Sequence, residues 1–101
     1  MIAVFGDIMD EEKKENDKEE EKIKQIIELM NVLLEDISVP RNIRQAISDA
    51  KEKLNESGDP IVRAGSAVYH LTEASEDINL PPHARTQIWH ILSSLETIRE
   101  E

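Results

Sequence analysis

One stretch of this sequence occurs twice, 41 residues apart. Asp36-Ile37-Ser38-Val39-Pro40 lies on Asp77-Ile78-Asn79-Leu80-Pro81, and the register holds upstream, where Glu35 meets Glu76. Downstream, Arg44 meets Arg85, Ile47 meets Ile88 and Leu54 meets Leu95. The shared template is Glu-Asp-Ile-x-apolar-Pro-x-x-x-Arg, and each copy leads into an amphipathic helix. Proline is tolerated at a helix start, because its missing N–H would be unpaired there anyway. A turn that recurs between helices predicts two like helical hairpins, at a spacing inside the roughly 40–47 residues of HEAT and armadillo repeats. Solenoids normally need three or more units. With two, the expectation is an all-α, four-helix body in which the hairpins stack on each other.

Apolar spacing locates the helices. Ile23, Ile26, Ile27, Met30, Leu33, Leu34 and Ile37 form one broad stripe at helical spacing. Leu29 and Val32 fall outside it and give the first helix a second apolar flank. The second helix carries Ile43, Ala46, Ile47, Ala50 and Leu54 and closes at Asn55 to Gly58, with Gly58 a left-handed cap. Asp59-Pro60 reads as an N-cap followed by a first-turn proline. The third helix sets Ile61, Ala64, Gly65, Val68 and Leu71 on one side, and its small residues, Ala64 to Ala67, invite a neighbouring helix to approach. Asn79 to Pro82 ends it. The fourth helix places Ala84, Ile88, Ile91, Leu92, Leu95 and Ile98 inward.

Upstream of the first stripe the character changes. Residues 1–22 hold nine acidic and four basic side chains behind a short apolar start, Met1 to Phe5. Such a segment buries too little apolar surface to offset its ordering entropy. The expected organisation is therefore a charged, disordered or frayed extension over 1–22 and one helical domain over 23–101. The apolar start lacks the basic leader and length of a secretory signal. Met9, just before Asp10-Glu11-Glu12, is an alternative initiator.

Composition removes whole classes of chemistry. The chain has no cysteine, hence no disulfide, cysteine-ligated zinc, iron–sulfur cluster or thiol nucleophile. Its formal charge of −10 opposes general nucleic-acid binding, which depends on Lys and Arg neutralising phosphates. No apolar run approaches the roughly 20 residues of a membrane span. His83 and His90 share a helix face but lie two turns apart, about 10.5 Å, too far for one ion. No Gly-x-Ser-x-Gly elbow or phosphate-cradling glycine loop is present. The expectation is no enzyme, no metal and no cofactor.

Four arginines stand out because Arg41, Arg44, Arg63 and Arg85 lie near helix N-termini, where the dipole favours acids by about 0.3–1 kcal/mol. One reading is structural, with Asp36 paired to Arg44 and Asp77 to Arg85 in an ion-pair ladder. The other is an anion-binding patch of guanidiniums and helix N–H groups at side-by-side helix starts. Arg41 has no counterpart in the repeat, since Pro82 stands there, so it is the better candidate for a free, ligand-facing charge. Trp89 sits about 100° off the core stripe, and Trp and Arg are enriched in interface hot spots. It fills a seam between hairpins or anchors a partner, with Tyr69 beside it.

Val39-Pro40-Arg41-Asn42-Ile43-Arg44, Asp59-Pro60 with Arg63-Ala64 and Ala67-Val68-Tyr69, and His83-Ala84-Arg85-Thr86-Gln87-Ile88-Trp89 with Leu95-Glu96-Thr97-Ile98-Arg99-Glu100 resemble an uncharacterised archaeal protein family. It is number one hundred and forty-seven of the UPF series, and the resemblance spans roughly Glu20 to Glu100. It implies an all-helical, cytoplasmic protein and carries no functional residues. The residues themselves favour a non-catalytic protein–protein interaction module, self-associating or with an unknown protein partner, using Leu29, Val32, Arg41, Arg63 and Trp89. The alternative is an RNA- or ribosome-associated factor that binds phosphate through the arginines.

Overall fold

The computed structural model describes the backbone from residue 2 to 98 and the side chains from residue 18 to 98. It is all-α: α1 spans Ile2–Leu34, α2 Arg41–Asn55, α3 Pro60–Ser75 and α4 Pro82–Glu96, with no strand among the described residues. Each helix packs on its neighbour in sequence, α4 returns to pack on α1, and α2 and α4 do not meet. The most extensive contact is between α2 and α3, across the expected hairpins rather than within either of them.

One core joins all four helices. Ile23, Ile26, Met30 and Leu33 meet Ile43, Ile47, Ala50 and Leu54, with Ala64, Ala67 and Leu71 on α3. Ala84, Ile88, Ile91, Leu92 and Leu95 close the core from α4, and Ile98 seals it just beyond. Ile27, Leu29, Leu34, Ala46, Ile61 and Val68 are partly buried around its edge.

The expected domain boundary falls inside α1, which runs unbroken past residue 22. Glu20, assigned by composition to the extension, bonds to Arg63 of α3, so the helical body begins before Ile23. The side-chain part of the tail expectation before Lys18, and Met9 with it, lies outside the described residues.

Ile37 does not continue the α1 stripe. α1 stops at Leu34 because the Asp36 carboxylate captures both donors of Ser38: Oδ1 accepts from Ser38 N (2.9 Å) and from the Ser38 hydroxyl (2.6 Å). α3 ends earlier than Asn79 for the same reason, as Asp77 Oδ1 accepts from Asn79 N at 2.8 Å. In each turn the apolar residue three after the aspartate, Val39 or Leu80, dives into the core. The residue one after it points to solvent.

The caps follow the local sequence. Pro40 and Pro81 precede α2 and α4, their carbonyls accepting from Arg44 N and Arg85 N, both at 3.0 Å. Asp59 caps α3 through Ile61 N at 2.9 Å with Pro60 in the first turn. Gly58, at φ +122°, has the backbone conformation that glycine alone adopts without strain. Gly65, by contrast, takes no part in close packing: it is exposed, and a Cβ there would meet nothing within 4 Å.

Candidate functional site

The turns after α1 and α3 lie together at one end of the body, each aspartate reached by a side chain from the other hairpin. His83 Nε2 of α4 stands 2.8 Å from Asp36 Oδ2, and Asn42 of α2 donates to Asp77 Oδ2 at 3.0 Å. Asn42 and His83 are themselves 41 residues apart, so the two bonds are reciprocal. Three hydrogen bonds, first from the Ser38 hydroxyl, then from His83 and the Ser38 N–H, hold the Asp36 carboxyl down at about 2, from an ordinary 3.8.

This end brings a serine, a histidine and an aspartate together, with Ser38 Oγ also 3.4 Å from His83 Nε2. The arrangement is not a nucleophilic triad. A triad needs one imidazole nitrogen for the serine and the other for the acid, whereas here the same Nε2 meets both. The Ser38 hydroxyl also donates directly to Asp36. These groups tie a turn.

The expected ion-pair ladder is not formed. Asp36 and Asp77 bind Ser38, His83, Asn42 and Asn79, and neither makes an ion pair with its arginine. Arg85 Nη2 donates to the main-chain oxygen of Asp77 at 3.0 Å, and the buried Nε of Arg44 faces no acceptor. The aspartates are consumed by their own turns, because a carboxylate two residues from an N–H reaches it with little loss of freedom.

Arg63 is likewise not ligand-facing. Its side chain is only 11% exposed, paired with Glu20 and donating to the carbonyls of Leu54 (Nε, 3.0 Å) and Gly58. The cation opposes the N-terminus of its own helix but meets the carbonyl-rich end of α2, which attracts it. Of the four arginines, Arg41 alone is exposed.

The remaining candidates are scattered. Leu29 lines a groove of about 280 Å³ between α1 and α4 with Lys22, Gln25 and His90, while Val32 is exposed near the end of α1. Trp89 is half exposed over a groove of about 160 Å³ between α3 and α4, bordered by Thr72, Ser75, Ser93 and Glu96. Sequence reasoning missed the exposed pair at the turn end: Ile37 is 94% and Ile78 90% exposed. Their matched positions in the repeat were the available signal. Among the described residues no three His, Asp or Glu side chains converge to hold a metal ion, and no helix is long and apolar enough to cross a membrane.

The profile described as "Uncharacterised protein family (UPF0147)" matches residues 9–98. The chain belongs to that family. The match reaches upstream of Glu20, farther than the segments that first carried the resemblance. The UPF0147 protein of Metallosphaera sedula is 50% identical over 82 residues, covering 80% of this chain and 92% of that one. The crystal structure of a protein of unknown function, MMP1188, is 49% identical, with a TM-score of 0.74 over 78% of this chain and 91% of the other. A UPF0147 protein from Thermoplasma acidophilum, also a crystal structure, gives 32% identity and a TM-score of 0.72, covering 77% and 93%. These relatives share the helical fold, and the family has no assigned activity.

Proposed function

We propose that this UPF0147 chain is a non-catalytic protein–protein interaction module of the cytoplasm, built as two hairpins of a 41-residue repeat whose paired turns form the docking end. The observation that carries the reading is the near-complete exposure of Ile37 and Ile78 on two equivalent turns, each held by its aspartate. Burying one such side chain is worth about 1.5–3 kcal/mol, and neither leans on its own turn to gain any of it. Single exposed apolar residues are ordinary, but these two are matched, on turns that reach each other through His83 and Asn42. The equivalent hydrogen bonds of Asp36 and Asp77 support the repeat reading, since they make the same turn twice.

The RNA alternative draws little support. Arg63 and Arg85 are engaged inward and Arg44 is half-buried, which leaves Arg41 without a cluster.

The test is a tagged pull-down from a native archaeal extract, split into nuclease-treated and untreated halves. Wild type is compared with a double variant, Ile37→Ser with Ile78→Ser. The expected result is a protein retained after nuclease treatment by wild type and lost by the double variant. Retention unchanged in that variant overturns the docking end, and retention that vanishes with nuclease overturns the protein-partner reading in favour of RNA.

A further inference from the structure

Two helices of this chain end on acids. Glu76 is the C-cap of α3 and Glu96 the last residue of α4, and neither helix has a basic residue in its last turn. The helix dipole favours cations at a C-terminus and disfavours carboxylates there. Both glutamates border the groove of about 160 Å³ between α3 and α4, and no Lys, Arg or His lines it among the described residues. The hydroxyls along its α3 wall are fixed as well. Thr72 Oγ1 donates to the Val68 carbonyl at 2.7 Å, and Ser75 Oγ, on a residue only 5% exposed, donates to the Thr72 carbonyl at 2.7 Å. Each has spent its one proton, so toward the groove both oxygens can only accept. Leu92 supplies apolar surface, and Trp89 stands half exposed at the rim.

We propose that this groove binds a primary alkylammonium group, its head on the two glutamates and the hydroxyl oxygens, its methylene stem along Leu92 and Trp89. An ammonium carries three donors and no acceptor, which matches carboxylates and hydroxyls that only accept. Its charge also offsets two carboxylates held where their own helix dipoles oppose them. An indole attracts a cation placed over its face more strongly than other aromatic rings do. An alkyl stem can lie on apolar surface while its charged head stays in water. A guanidinium fits less well, since its rigid planar fork suits a single carboxylate, whereas the two here come from different helices. The same ammonium head occurs on free oligoamines and on lysine side chains of proteins. This site is separate from the Ile37–Ile78 end and does not rest on it.

Trp89 is the chain's one tryptophan, so its emission reports on the groove directly. The full chain is titrated with n-butylammonium, cadaverine and N-acetyl-lysine methylamide, with NaCl holding the ionic strength constant. The expected result is a saturable change in emission, half complete at about 1–10 mM. Amide NMR shifts accompany it, confined to Thr72 to Glu76 and Trp89 to Glu96. The half-saturation point rises about tenfold when Glu76→Gln and Glu96→Gln are combined. It stays put in Glu52→Gln, which removes an exposed acid of α2. The double variant is expected to fold at least as stably as wild type, since both acids it removes face their helix dipoles. Cadaverine half-saturating well below the lysine derivative names a free oligoamine as the ligand; a lysine derivative that matches cadaverine names a partner's side chain. A response no larger than that to NaCl alone overturns the proposal, as do shifts spread over the whole acidic surface or an indifferent double variant.

Discussion

His83 reaches across from the start of α4 to the Asp36 carboxylate of the first turn, 2.8 Å from Nε2 to Oδ2. The residue 41 positions earlier, Asn42, makes the matching reach to Asp77. The two turns therefore hold each other, and the end of the body is fixed by side chains from both hairpins. An exposed histidine–aspartate pair is worth little by itself in water, but here it is one bond of a set that closes two turns at once.

That set makes stability respond to acid. The folded Asp36 carboxyl titrates at about 2, below its ordinary 3.8, so the folded state binds fewer protons than the unfolded chain in that interval. Its contribution is fully present above about pH 4 and is lost as pH falls towards 2. Thermal unfolding of wild type and Asp36→Asn, followed by circular dichroism from pH 7 to 2, is expected to separate them at neutral pH and bring their midpoints together at pH 2. Parallel curves over the interval would contradict the assignment.

Arg63 and Arg41 are expected to differ sharply. Arg63 is nearly buried and bonded to Glu20, Leu54 and Gly58, and charge-assisted hydrogen bonds contribute about 1.5–3 kcal/mol. Urea unfolding of Arg63→Met should show a loss of about that size, because it also leaves the part-buried Leu54 carbonyl and Glu20 without their partner. Arg41→Ala should stay within about 0.5 kcal/mol of wild type.

The two described glycines of the α2–α3 region give opposite signs. Gly65→Ala should stabilise the protein by about 0.5–1 kcal/mol, since the methyl meets no atom and the helix gains propensity. Gly58→Ala, forced to keep φ near +122°, should destabilise by about 1–3 kcal/mol. Denaturant midpoints read both.

At the centre of the core, Ile88 is fully buried against residues of the other helices. Ile88→Ala is expected to cost about 2–5 kcal/mol, measured by the shift in urea midpoint at unchanged slope.

Much of the architecture is legible along the chain. The inward set of α4, from Ala84 to Ile98, and that of α2 follow from apolar spacing alone, because a helix repeats every 3.6 residues whatever it packs against. Asp59-Pro60 announces the start of α3 through chemistry confined to three residues. The recurrence of Asp, apolar residue and proline 41 positions apart announces two equivalent turns. Ile37 reads as core in that same logic and is not, because the stripe counts positions and Asp36 ends the helix before the count reaches it.

The sequence by itself determined the four helices, the buried faces of α2 and α4 and the Asp59 cap, all of which arise from interactions within a turn or two of backbone. The tertiary structure alone decided what the long side chains reach. Arginine and histidine span several ångströms and choose among acceptors that are neighbours only after folding. Thus Arg63 goes to the end of α2 and to Glu20, Arg85 to the Asp77 carbonyl, and His83 to Asp36, none of them a partner that spacing could name. It also decided which apolar groups remain outside, Ile37 and Ile78 at one end and Val62 and Tyr69 on α3. Four helices have limited inner surface, and only their packing fixes which residues it excludes.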